Sequence, residues 1–121
     1  MTGKKTILVA DDDEIFRRMI GRQLEKMGFH VVLFEDGRHV AMQASLLKPV
    51  ACIVDMVMPE KEGMETVLQL AQQANAPKVI GVSATELYLD LAKGMLIDAT
   101  LLKPVTPDRL AATLAELGIA P

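Results

Sequence analysis

Apolar residues fall into two alternating patterns along this chain, short unbroken runs and longer stretches with helical spacing. The runs are Ile7-Leu8-Val9-Ala10, His30 to Phe34, Cys52-Ile53-Val54, Lys78 to Ser83 and Ala99 to Leu102. Each is short and bounded by charged or turn residues, as expected of strands covered on both faces. Between them the period changes. Phe16, Met19, Ile20, Leu24 and Met27 recur at helical intervals and Gly28 supplies a stop, so a helix is predicted over 14–27. Asp12 or Asp13 stands where its N-cap belongs. A weaker helix is predicted from about Arg38 to Leu47, ending before Pro49. A third runs from about Met64 to Ala74 with Val67, Leu68 and Ala71 inward, and a fourth from Glu86 to Leu96. Thr106-Pro107-Asp108 opens the last, which reaches about Leu117, with Pro107 suited to the first helical position. Strands that alternate with helices throughout imply right-handed crossovers, hence an α/β fold with a parallel sheet and helices on both faces.

A length of 121 residues suits one domain, 1–121, with 1–4 and 119–121 expected as loose ends. Aromatics make up only 3%, so the core must be built from aliphatics and the eight Met, with Phe16, Phe29 and Phe34 as its large pieces. A net charge of −3 provides no footprint for nucleic acid. Arg17, Arg18, Arg22 and Lys26 cluster in one segment, but Glu14 and Glu25 interleave with them, which reads as a solvated helix face. Cys52 is the only cysteine, so no disulfide within the chain and no thiolate cluster can form, and it is expected as a buried strand thiol. The run Ile7 to Ala10 is too short for a signal peptide and is cut off by three Asp residues; nothing approaches a membrane span. These features lead us to expect a soluble, cytoplasmic protein. His30 and His39 have no partner spacing that suggests a metal or a base.

The chemistry lies at the ends of the runs. Pro59 cannot continue a central strand, so Asp55 is placed at a carboxyl end, and Asp11 with Asp12, Ser83 and Lys103 follow other strands to the same edge. Three carboxylates packed together repel one another unless a cation intervenes. An oxygen-only set favours a hard divalent ion, and Mg²⁺ that keeps several waters suits it. A carboxylate can also attack phosphorus. If Asp55 does so, Lys103 can neutralise the transferring group and the Ser83 hydroxyl can donate to it.

In this order and at these intervals, Asp11-Asp12, Asp55-Met56-Val57-Met58-Pro59 with Gly63, Ser83-Ala84 and Lys103-Pro104 resemble the receiver domain of two-component response regulators. The resemblance covers essentially the whole chain. It implies a (βα)5 fold with a five-stranded parallel sheet in the order 2-1-3-4-5. It further implies that Asp55 accepts a phosphoryl group from a phosphohistidine on a histidine kinase or a histidine phosphotransfer protein. Asp12 and Asp55 would ligate Mg²⁺ through carboxylates, Val57 through its backbone carbonyl and Asp11 through a water. Ser83 and Lys103 would contact the phosphoryl group, and Lys103-Pro104 would be a cis peptide. Partners would dock at the start of the first helix, on Ile15, Phe16 and Met19, and output would pass through contacts with a downstream protein or effector domain.

Three positions depart from the family. Thr100 replaces the usual aromatic three residues before the lysine, Val105 stands where Phe is common, and Val57 places an aliphatic group where the side chain influences phosphoryl lifetime. Two other readings of the residues stay open. Asp11-x-Asp13 resembles the nucleophile motif of haloacid-dehalogenase phosphatases, and a receiver fold can serve as an interaction module without being phosphorylated.

Overall fold

In the computed structural model, which describes residues 3–57, 63–87 and 97–121, each unbroken apolar run is a strand. The strands are β1 (Thr6–Ala10), β2 (His30–Phe34), β3 (Ala51–Asp55), β4 (Lys78–Ser83) and β5 (Ala99–Leu102). The described helices are α1 (Glu14–Met27), α2 (Val40–Leu47), α3 (Gly63–Ala71) and, after β5, α4 (Pro107–Glu116). The helix predicted over 86–96 lies outside the described residues beyond Leu87, as do Met58 and Pro59. All four strand pairings are parallel, and the order is β2-β1-β3-β4-β5.

Alternation along the strands sorts the core into two layers. Ile7 and Val9 of β1, Ile53 of β3 and Ile80 and Val82 of β4 point to one face, where they meet Phe16, Ile20 and Leu24 of α1 and Leu110 and Leu114 of α4. Leu8, Ala10, Cys52, Val54 and Val79 point to the other and meet Val40 and Ala44 of α2 and Val67 and Leu70 of α3. The middle strand β3 is buried along its whole length, which is why it reads as an uninterrupted apolar run. Cys52 is wholly enclosed there and burial pushes its thiol up to about 12, so it packs as a small hydrophobe and is inert.

Local chemistry sets the ends of the helices. Asp13, rather than Asp12, caps α1, its carboxylate accepting from the Ile15 and Phe16 N–H groups at 3.0 and 3.2 Å. Gly28 closes that helix at φ 107°, a left-handed conformation that a side chain would strain. Thr106 Oγ1 accepts from the Arg109 N–H at 3.2 Å to open α4 just before Pro107. The second helix starts at Val40, two residues later than expected, because Asp36 draws the Arg38 N–H and guanidinium into a turn at 2.9 and 3.0 Å.

Three expectations are corrected. Leu68 is 42% exposed, and the inner face of α3 is Gly63, Thr66, Val67 and Leu70, a stripe at intervals of three and four that Leu68 falls outside. In α1, Met19 is 37% exposed, whereas the buried Gly21 comes up against the Leu33 side chain. The C-terminal residues are not loose: the Ile119 N–H donates to the Leu114 carbonyl at 2.9 Å, its side chain packs on the core, and Pro121 lies against Gly28. Among the described residues no helix is long and apolar enough to cross a membrane.

Candidate functional site

The strand register assembles the site. Ala10 is level with Val54 across β1 and β3, so Asp11 and Asp55, the next residues on each strand, emerge side by side. Ser83 at the end of β4 is level with Leu102 of β5, and the following Lys103 donates its backbone N–H to the Ser83 carbonyl at 2.9 Å. Four strands thus place Asp11, Asp55, Ser83 and Lys103 along one edge, where backbone pairing ends and side chains take over.

Lys103 Nζ lies 2.9 Å from Asp11 Oδ2 and 3.7 Å from Asp55 Oδ2. The other Asp55 oxygen accepts the Val57 N–H at 3.0 Å, and the other Asp11 oxygen accepts the Asp13 N–H at 2.8 Å. Asp11 and Asp55 are buried and Asp12 is exposed. One carboxylate oxygen from each of the three lies within 4.8 Å of the others. Beside them Asp55, Val57, Ser83, Ala84, Thr85 and Lys103 line a cavity of about 260 Å³. The buried Ser83 Oγ accepts the Thr85 N–H at 3.1 Å, which leaves the hydroxyl proton available to a group entering that cavity.

Gly63 explains how the chain can leave Asp55 and return so closely. A Cβ at this position would collide with the Asp55 carbonyl oxygen and stand 2.6 Å from Met56 Cα, so only glycine lets the start of α3 pack against the end of β3. Met56 in turn is buried against Gly81, whose missing side chain leaves room for its thioether.

The electrostatics are unbalanced. Burial raises the Asp55 carboxyl from 3.8 to about 7; the Val57 hydrogen bond opposes this, the Asp11 charge adds to it, and Lys103 offsets part. Burial pulls the Lys103 ammonium down, but the hydrogen bond with Asp11 and the charges of Asp11, Asp55 and Asp13 outweigh it, and its pKa ends above the ordinary lysine value. Three carboxylates against one ammonium leave room for further positive charge. The donor set, oxygen atoms alone at close mutual range, fits a hard metal ion.

The first turn of α1 closes one side. The Phe16 ring lies under Lys103, with Nζ 4.3 Å from its centroid, and Arg17 Nη1 donates to the Asp11 carbonyl at 2.7 Å. One sequence reading is thereby corrected. Arg17 is not part of a solvated face, since only 13% of its side chain is exposed, while Arg18 beside it does lie in solvent near Glu14. Phe16 is core, as its apolar spacing implies, and Ile15 and Met19 are the exposed residues beside it. Neither contact has a sequence signal, because each depends on where β1 and β5 end in space. Val57 is exposed beside the cavity, Thr100 is half-buried, Val105 is core, and Lys103-Pro104 is cis.

Comparison with known proteins agrees with this geometry. Residues 7–115 match the profile of the response regulator receiver domain. This chain is a receiver domain. Among curated proteins the receiver is similar to the alkaline phosphatase synthesis transcriptional regulatory protein PhoP of Bacillus subtilis, 29% identical over 115 residues that make up 93% of this chain and 48% of that protein. It is also 29% identical over 103 residues to the Regulator of RpoS of Escherichia coli, covering 84% of this chain and 31% of that protein. The chain thus spans half or less of the length of these relatives. Among solved structures, the signal receiver domain of a response regulator from Bermanella marisrubri matches with a TM-score of 0.85 at 30% identity, over 95% of this chain and 98% of that one. The Vibrio cholerae chemotaxis protein CheY4 matches with a TM-score of 0.85 at 24% identity, over 94% and 98%, a likeness of fold. A receiver implies a histidine kinase as partner.

Proposed function

We propose that this receiver, whose residues 1–121 form one domain, takes a phosphoryl group on Asp55 from a phosphohistidine of a histidine kinase or histidine phosphotransfer protein. The observation that carries the reading is the difference between its two buried carboxylates. Asp11 is closed off by Lys103 at 2.9 Å and by the Asp13 N–H, whereas Asp55 borders the cavity with one oxygen fixed by Val57 and the other 3.7 Å from Lys103. That difference also disfavours Asp11 as a phosphatase nucleophile.

In the transfer, an Asp55 oxygen forms a bond to phosphorus while the P–N bond to the donor breaks, its electron pair returning to the imidazole nitrogen. Lys103 sits where negative charge accumulates on the transferring oxygens, and the Ser83 hydroxyl donates to one of them. The metal we assign is Mg²⁺, which the carboxylates of Asp12 and Asp55, the Val57 carbonyl and, through a water, Asp11 would hold; when bound it would supply the positive charge that one ammonium cannot. Val57 offers no polar atom on its side chain to orient an attacking water, so the acyl phosphate decays slowly. Output passes to a downstream protein or effector domain through protein contacts, in the cytoplasm.

The test is incubation with acetyl phosphate and Mg²⁺, followed by intact mass and peptide mapping beside Asp55→Asn. One Mg²⁺-dependent phosphoryl group on Asp55, absent from the variant, is expected. A label on Asp11 would transfer the reading to the phosphatase chemistry. No label from either acetyl phosphate or a phosphohistidine donor would make the fold an interaction module.

A further inference from the structure

Besides the two carboxylates, the Lys103 ammonium meets an aromatic ring. The ammonium stands 4.3 Å from the Phe16 centroid, with Asp11 at 2.9 Å and Asp55 at 3.7 Å. Phe16 is a core residue with little freedom: its N–H is bonded to the Asp13 cap at 3.2 Å, and the next residue, Arg17, is bonded to the Asp11 carbonyl at 2.7 Å. The ring is therefore a fixed platform tied to the same segment as the acidic cluster.

We propose that Phe16 is a positioning residue for phosphoryl transfer, holding the Lys103 ammonium over its ring face so that the cation is in place as the phosphoryl group arrives. The proposal rests on Asp55 being the acceptor. During transfer Lys103 must redirect its N–H groups from the carboxylates to phosphoryl oxygens. A further carboxylate in place of the ring would compete for those N–H groups, and water there would let the flexible stem wander. An aromatic face avoids both problems, since it attracts a cation through its quadrupole without accepting a directional bond. A leucine would keep the position apolar but would be smaller and would not attract the charge, whereas fluorinated rings keep the shape.

The experiment measures the rate of Asp55 phosphorylation with acetyl phosphate and Mg²⁺ in wild type, Phe16→Leu, Phe16→Tyr, and chains with progressively fluorinated phenylalanine at 16, which keep the shape of the ring while draining its quadrupole. The expected result is a saturating rate about three- to tenfold lower in Phe16→Leu, within about twofold of wild type in Phe16→Tyr, and falling in step with fluorination. The half-saturating donor concentration should not change. Independently of activity, the Lys103 ε-methylene protons should show an upfield ring-current shift in NMR that disappears in Phe16→Leu. Wild-type rates throughout the fluorinated series, equal losses in Phe16→Tyr and Phe16→Leu, or the absence of the ring-current shift would overturn the proposal while Asp55 remained the acceptor. Wild type unlabelled at Asp55 would overturn both.

Discussion

The two flanks of the acidic pocket are built differently. On the α1 flank the segment is tied down: Asp13 caps the helix, Arg17 binds the Asp11 carbonyl, the Asp13 N–H binds Asp11 Oδ1, and Phe16 lies under Lys103. On the opposite flank Val57, Ser83, Ala84 and Thr85 border a cavity. The closed flank holds like charges together against their repulsion, and the open flank admits a reacting group. A pocket tied on both sides would have no room for a phosphoryl group. One open on both sides would relax its carboxylates into water and lose the concentrated charge that binds a cation.

Gly63 supports the end of β3 between these flanks, and substituting it should have the largest effect. In Gly63→Ala the new methyl meets backbone atoms on both sides of the Asp55–Met56 peptide link, which cannot rotate away as a side chain would. A loss of about 2–4 kcal/mol is expected in urea denaturation, an overpacking cost raised by the rigidity of the neighbour. A loss below about 0.5 kcal/mol would mean that α3 shifts freely relative to β3 and that the site is not braced from this side.

Second in size is the cost of holding Asp55 ionised. Its carboxyl is raised from 3.8 to about 7, so the folded state keeps this proton longer than the unfolded chain does. Below about pH 4 both states are protonated and the group has no effect. From there to about pH 7 the unfolded chain releases its proton first, so stability falls as pH rises, and above pH 7 the full penalty is present. In metal-free protein at pH 8, Asp55→Asn should therefore gain about 1–3 kcal/mol, with no gain at about pH 3. Adding Mg²⁺ should raise the melting temperature of wild type and leave the variant nearly unchanged. Equal gains at both pH values would indicate that repacking, not charge, was the cause.

How much of this could be read beforehand follows the same division. The strands, their parallel direction and the four strand-end residues were legible because short apolar runs alternate with helical spacing, most plainly in β3, which is buried on both faces, and a charge at the end of such a run stands out; the strand order came from the family resemblance. The inward face of α3 was not. Its helix begins at Gly63 and buries Thr66, a hydroxyl that hydropathy places outside, and this turns Leu68 toward solvent. Arg17 was misread, and the contact of Phe16 with Lys103 was missed, for a different reason. Helical spacing assigns a residue to a face of its own helix, but their partners are the carbonyl of Asp11 and the ammonium of Lys103, the second of which lies 87 residues away from Phe16. The closed flank was thus nearly invisible in sequence, whereas the residues it supports were plain.

The smallest effect tests whether that flank is a unit. Asp13→Ala removes the cap that receives the Ile15 and Phe16 N–H groups, and should cost about 1 kcal/mol of stability, as cap deletions usually do. Asp13→Ser restores an oxygen acceptor without the charge and should recover most of the loss. If the cap merely closes the helix, both variants will leave the Lys103 environment as it was. If it fixes the ring beneath Lys103, Asp13→Ala will loosen Phe16, and the ring-current shift on the Lys103 methylenes will shrink in Asp13→Ala and return in Asp13→Ser. Asp13 also adds negative charge near Lys103, so the serine variant separates the two contributions. Recovery of stability without recovery of the shift would show that charge, not the cap, draws Lys103 toward α1.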